Sequence, residues 1–390
     1  MRYYLIAGEA SGDLHGSNLM KGLIAEDPSA EFRFWGGDFM SAVGGTLVRH
    51  YKSTAVMGVV EVISRLGAIR RNMIECRRDL LEYDPDVLIL IDYPGFNLKM
   101  ARFAHKHGIR VFYYIAPKLW ARGERRIRKI RRYVDELFII FPFEKEYFRK
   151  LGVEPHYVGN PLIDSIDVDQ CIRLGRQDFA LRHSLGEAPS IALLAGSREA
   201  EIRFLLPRMV ALERLLKQDP ILAGYQLLLA AAPSVDLQFY NELIPADSSI
   251  RIIEGETYGV LNHSDAAVIS SGTASLEAAI IGTPQVVCYG FNRITYLIAK
   301  LLVRVKYVSL ANLILDKLIF KELIQDDASP ENIFAEISRM LTDQEYRNAM
   351  KSDYTALREI LGGSGASRKI ARKMIGVMKE YSEQITDKNR

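Results

Sequence analysis

Cysteine is scarce in this chain: Cys76, Cys171 and Cys288 are three residues in 390. They lie far apart and form no C-x-x-C pair, which argues against a disulfide framework and a structural zinc site and fits a reducing compartment. Long apolar runs are also missing. None reaches the ~18 residues of a membrane span, and the N-terminal run Tyr3 to Ala7 is shorter than a signal-peptide core. Charge of one sign is not in excess: 51 basic residues against 48 acidic ones give a formal net charge of +3. That is too mild to announce a nucleic-acid protein, so any basic surface must be local. The seven histidines offer no H-E-x-x-H, and no G-x-S-x-G nucleophile elbow is present. The inventory suits a reaction that needs no metal, cofactor or covalent intermediate.

What is present is apolar residues, 48% of the chain, enough for a full core and more than one domain. Short runs rich in Val, Ile and Tyr alternate with turns and helical patterns in both halves. They read "YYLIA", "DVLILID", "RVFYYIA" and "ELFIIF", then "SIALLAG", "QLLLAAA", "IRIIEG", "AAVISSG" and "QVVCYG". Such alternation predicts an α/β protein with two doubly wound, Rossmann-like domains. Gly159, Asn160 and Pro161 punctuate the stretch between the halves and place the linker near there. The expected divisions are 1–163, 164–350 and a C-terminal helical segment, 351–390, packing back on the first domain.

In open parallel sheets ligands bind beyond the carboxyl ends of the strands, so the turns after the strands are where chemistry belongs. The first, "AGEASGDLHG", is not G-x-G-x-x-G. Gly8 and Gly12 permit close backbone approach, Ser11 and Asp13 are candidate caps for the following helix, and Glu9 and Asp13 would repel a pyrophosphate. The second half has better anion sites. In "VISSGTASLEAAIIGTP", Ser271 and Gly272 turn the chain, and the helix started by Thr273 and Ala274 offers free amides to a phosphate. Glu277, one turn in, either accepts from a ribose diol or merely complements the helix dipole. In "LLAGSREAEI", Gly196 and Ser197 precede Arg198, which either clamps a diphosphate or pairs with Glu199 or Glu201. "DVLILIDYPGFN" ends a strand on Asp92: a general base, or an Asx-type turn onto the amides around Gly95 and Phe96.

Two stretches are basic and amphipathic. "MGVVEVISRLGAIRRNMIECRRDLL" sets Val59, Val62, Ile63, Leu66, Ile69, Met73 and Ile74 on one stripe, with arginines beside it. "ARGERRIRKIRRY" carries seven basic residues, Arg125, Arg126, Arg128 and Lys129 among them, around Ile127 and Ile130. Both read as membrane-surface elements; the alternatives are core-facing helices with solvated backs, and a nucleic-acid patch for which no reading motif is present.

Together these stretches resemble the lipid-A-disaccharide synthase family, glycosyltransferases of the two-Rossmann-domain B-type. The resemblance spans nearly the whole chain. It rests on "AGEASGDLHG", "AVMGVVEVISRL", "LIDYPGFN", Leu119–Trp120, "FPFEK", "AGSREAE", "SSGTASLE" and "YVSLANLI". It implies two domains facing across a cleft and a transfer of sugar from UDP-2,3-diacylglucosamine to 2,3-diacylglucosamine 1-phosphate. It also implies a place on the cytoplasmic face of the inner membrane, no nucleic acid as partner, and admits a homodimer. Carried over by position, Asp92, Arg198 and Asn312 are its catalytic set, and Gly196, Ser197, Ser271 to Ala274 and Glu277 face UDP. Gly8, Glu9, Ser11, Gly12 and His15 fall on the sugar side, and Met57, Val59, Val60, Val62, Ile63, Leu66 and Ile69 seat acyl chains. The chain departs from the family pattern at Arg122, where tryptophan is usual, at Asn160, often histidine, and at Ala195 and Ala311, usually proline. An epimerase acting on UDP-N-acetylglucosamine and a non-catalytic membrane- or nucleic-acid-bound regulator are the rival readings.

Overall fold

The computed structural model describes residues 1–53, 66–120, 123–290 and 306–388. It contains two compact units, one formed by Met1–Ser165 with Leu361–Arg390 and the other by Ile166–Ile360.

The first unit is built on a six-stranded parallel sheet. Its strands are β1 (Arg2–Ala7), β2 (Glu31–Gly36), β3 (Thr46–His50), β4 (Val87–Ile91), β5 (Arg110–Tyr114) and β6 (Glu136–Phe138), in the order β3-β2-β1-β4-β5-β6. Strand β4, Val-Leu-Ile-Leu-Ile, is buried throughout, as a strand covered on both faces must be. The order reverses between β1 and β4, and this reversal is the topological switch point at which such sheets bind ligands. Ala7 lies opposite Ile91, so Gly8 and Asp92 leave the sheet side by side.

The second unit repeats the plan with β7 (Ser190–Leu194), β8 (Gln226–Ala231), β9 (Arg251–Glu254), β10 (Ala266–Ser270), β11 (Gln285–Tyr289) and β12 (Glu322–Ile324). Their order, β12-β11-β10-β7-β8-β9, puts the switch point between β7 and β10. Leu194 lies opposite Ile269, so the turns beginning at Ala195 and at Ser271 emerge together.

Sequence places a boundary at 350; the structure moves it to Ile360. Tyr354 and Leu357 of the helix Gln344–Ile360 are buried in the second unit, where Gln285 donates to the Tyr354 hydroxyl at 3.4 Å. The next helix, Ala366–Lys388, belongs to the first unit and packs on the helix Ala10–Glu26.

The helix after β1 also departs from expectation. It begins after Glu9, with no side-chain cap, and neither Ser11 nor Asp13 caps it. Asp13 is buried and caps a different helix: its Oδ1 accepts from the amides of Gly37 (2.7 Å) and Met40 (3.1 Å), and its Oδ2 from Phe39 (3.0 Å). These are orphan donors at the start of the helix Asp38–Val43. Asp13→Ala should therefore cost about 1–3 kcal/mol in urea unfolding, with Asp13→Asn retaining part of it.

Candidate active site

At the switch point of the first unit, Asp92 and Tyr93 both have left-handed backbones, with φ of +44° and +47°. Two consecutive non-glycine residues in that region are strained and need support. Support comes from around the Asp92 peptide. The buried Asn97 amide donates to the Asp92 carbonyl at 2.7 Å, the Tyr113 hydroxyl donates to the same oxygen at 2.6 Å, and the Asp92 amide donates to Tyr114 at 3.1 Å. Backbone thus held, the half-buried carboxylate projects from the end of β4. The Asx-type alternative does not form on Phe96, whose amide instead donates to the Tyr93 carbonyl at 3.3 Å. Burial, reinforced by the neighbouring Glu9 carboxylate, raises the Asp92 pKa to about 6, against the pull of Lys118 and the Tyr93 amide.

Beside Asp92 the β1 turn lies so close that a Cβ on Gly8 would sit 2.4 Å from the Tyr93 ring, so a side chain there would displace Tyr93. Gly12 packs on Ala7, Glu9 and Ser11 are exposed, and His15 is buried. Burial, and next the charge of Lys118, lowers the His15 pKa to about 4, so the ring is neutral at physiological pH. Its Nδ1 has no hydrogen-bond partner among the described residues. A shallow pocket, open to solvent, adjoins this turn and is lined by Gly8, Trp35, Arg49, Tyr51, Ile69, Asn72, Tyr93 and Phe96, among others.

In the second unit, the β7 turn runs through Gly196, whose φ is +123° and whose added Cβ would sit 2.5 Å from that of Glu201. Glu201 Oε2 accepts from the Ser197 amide at 3.0 Å. Arg198 stands at the start of the helix Glu199–Gln218 with its side chain 74% exposed, 3.8 Å from Glu201 Oε1. That distance leaves the guanidinium available to a ligand. The adjacent turn, Ser271–Gly272, opens the helix Thr273–Ile281 without a side-chain cap on its first amides. Glu277 is half-buried, and Tyr258 donates to its Oε1 at 3.0 Å. Burial raises its pKa to about 7.

Asn312 does not join either turn. It is fully buried, donating to the Phe320 carbonyl (3.1 Å) and Glu322 Oε1 (2.9 Å) and accepting from the Ile319 amide (3.0 Å). With its amide thus engaged, it organises the segment around it rather than offering itself to substrate. Glu322 extends the network, accepting from the amides of Val308 and Ser309.

Of the acyl-facing residues, Met57, Val59, Val60, Val62, Ile63 and the side chain of Leu66 lie outside the described residues, as does Arg122. Ile69 lines the pocket. Beyond it the single stripe breaks down: Met73, Cys76 and Leu80 are buried in the core, while Ile74 is 57% exposed. The described helix, Leu66–Tyr83, therefore turns its apolar face inward. In the other basic stretch Ile130 is buried and Arg125, Arg126, Arg128, Lys129, Arg131 and Arg132 are all exposed.

A family model for lipid-A-disaccharide synthetase matches residues 3–374. The chain belongs to that family. A lipid-A-disaccharide synthase of Trichlorobacter lovleyi is 37% identical over 381 residues, covering 97% of this chain and 98% of the relative. One of Syntrophus aciditrophicus is 38% identical over 382 residues, covering 96% and 97%. Among solved structures, a UDP-GlcNAc 2-epimerase from Neisseria meningitidis aligns with a TM-score of 0.65 at 12% identity, over 96% of this chain and 99% of its own. The calicheamicin glycosyltransferase CalG4 gives 0.60 at 15%, over 96% and 98%. At those identities the solved structures speak for the glycosyltransferase B-type fold alone. Two of the family stretches meet in the structure, which sequence reading did not foresee: Trp120 Nε1 donates to Oε1 of the buried Glu144, of "FPFEK", at 3.1 Å.

Proposed function

We propose that the chain moves the diacylglucosamine of UDP-2,3-diacylglucosamine onto the 6-hydroxyl of 2,3-diacylglucosamine 1-phosphate, giving the lipid A disaccharide 1-phosphate and UDP. Membership of a lipid-A-disaccharide synthetase family supports the reaction, and the raised, backbone-supported Asp92 is the observation that carries its mechanism. Asp92 takes the 6-hydroxyl proton as that oxygen forms its bond to the donor anomeric carbon. The bond from that carbon to the UDP oxygen breaks in the same step, inverting the centre. Negative charge gathers on the leaving diphosphate, where Arg198 and the amides at Thr273 and Ala274 stabilise it. Glu277, held by Tyr258, contacts the ribose, and Glu9, Ser11 and His15 lie on the sugar side.

UDP release tests this reading. Release should require both lipids together. Conversion of a UDP-sugar alone would favour epimerisation, and no conversion with salt-sensitive nucleic-acid binding would favour a regulator.

No helix among the described residues is long and apolar enough to cross a membrane. The reading further places the enzyme on the cytoplasmic face of the inner membrane, through the exposed cations between Arg125 and Arg132, none of which forms an ion pair among the described residues. Near an anionic surface each cation contributes about 1 kcal/mol. Replacing Arg125, Arg126, Arg128 and Lys129 by Gln should therefore lower co-sedimentation with phosphatidylglycerol vesicles by a hundredfold or more at low salt, about 2.7 kcal/mol or more. Unchanged partition would remove this patch from the membrane contact.

A further inference from the structure

Lys118 lies in the loop after β5 and is the single exposed side chain between Ile115 and Leu119. The loop around it is anchored. The Leu119 amide donates to the Pro117 carbonyl at 2.6 Å, Leu119 is buried, and Trp120 is tied to Glu144, whose other oxygen accepts from the Phe141 amide at 3.2 Å. At its base the loop is stitched to the Asp92 turn through the Asp92 amide on Tyr114 and the Tyr113 hydroxyl on Asp92. The backbone that carries Lys118 is thus fixed at both ends, at the same end of the sheet as the Asp92 turn.

Three groups feel its charge. It lowers Asp92 and Glu144 against the effect of their burial, and it adds to burial in lowering His15. Glu9 faces Asp92 with the opposite effect, and Arg126 acts on the neighbouring Tyr113. Yet Lys118 forms no ion pair with any described residue. An exposed cation with no ion-pair partner among the described residues, on a loop stitched to the Asp92 turn, is placed for an anion that arrives with the substrate.

We propose that Lys118 binds the phosphate monoester of the acceptor and so sets the acceptor hydroxyl at Asp92. This rests on the transferase reading above. Phosphate could also come from the donor, but Lys118 and Asp92 share one unit, whereas the turns suited to a diphosphate, at Gly196–Arg198 and Ser271–Ala274, belong to the other. Lys118 is accordingly a substrate-positioning residue that also opposes the rise burial gives the Asp92 pKa.

The test compares wild type, Lys118→Gln and Lys118→Arg, with acceptor carrying or lacking the 1-phosphate. Lys118→Gln should raise the KM for the phosphorylated acceptor about tenfold or more, leave the donor KM unchanged, and move the acid limb of the kcat/KM–pH profile upward. Lys118→Arg should restore most of the affinity. With the phosphate-free acceptor, wild type and Lys118→Gln should share one KM. An equal loss with both acceptors, or a rise in donor KM alone, overturns the assignment. Equilibrium binding of the phosphorylated acceptor without donor separates the two readings. Unchanged binding in Lys118→Gln refutes the phosphate contact, whereas a wild-type enzyme that binds but releases no UDP refutes the transferase reading.

Discussion

Asp92→Asn should lower turnover by about 10²–10⁴-fold, the span of a lost general base, with little change in either KM. Asparagine tolerates the left-handed backbone at this position, so the turn survives and the effect reports chemistry. The base works only as a carboxylate, so wild-type kcat/KM should fall as pH drops through about 6, the value to which burial raises Asp92. Because Glu9 contributes to that rise, Glu9→Gln should shift the limb to lower pH. The same substitution of Asp92 should stabilise the fold. A carboxyl whose pKa is raised from 3.8 to about 6 holds its proton more tightly folded than unfolded. Its penalty is absent below the unfolded value and develops as pH rises from there to about 6. Above that window Asn should add about 1–3 kcal/mol in chemical denaturation, at one unit per 1.36 kcal/mol. A variant of wild-type turnover would sink the general-base assignment.

The second large effect belongs to Arg198. Arg198→Ala should lower kcat by about 10²–10³-fold, comparable to losing one preorganised donor to developing charge, and should raise the donor KM less. An exposed side chain 3.8 Å from its acidic neighbour adds little to the folded state, so the melting temperature should not move. Lysine should recover only part of the loss, since it cannot meet two phosphate oxygens with a fixed fork. If kcat holds while the donor KM rises, Arg198 binds ground state and transition state alike.

The nine apolar runs read from sequence all became strands because parallel strands covered on both faces announce themselves as unbroken Val, Ile and Leu. Those not read are polar or short: Glu31–Gly36 mixes Glu and Arg with aromatics, Thr46–His50 lies at an edge with no fully buried residue, and Glu322–Ile324 has three residues. The turns that face the switch points were legible, since Gly, Ser, Asp and Arg directly after a strand are a local signal. Partnerships across the chain were not. Nothing local tells that Asp13 caps a helix starting at Asp38, that Trp120 meets Glu144, or that Tyr258 holds Glu277. Asn312 shows the converse: a motif residue points to importance, and only its saturated amide shows that the importance is architectural.

The helix Ala366–Lys388 carries a consequence for how the polypeptide is made. It packs on the helix Ala10–Glu26, where an added Cβ at Gly22 would sit 2.8 Å from the Ser367 carbonyl and 3.1 Å from Ala371. At ~5–20 residues per second a ribosome delivers the first six strands early, then all of the second unit, and only afterwards the helix that covers the first. The N-terminal half is thus begun first and completed last, and until then it exposes to chaperones and proteases the apolar surface that Ile370, Ala371 and Met374 will close.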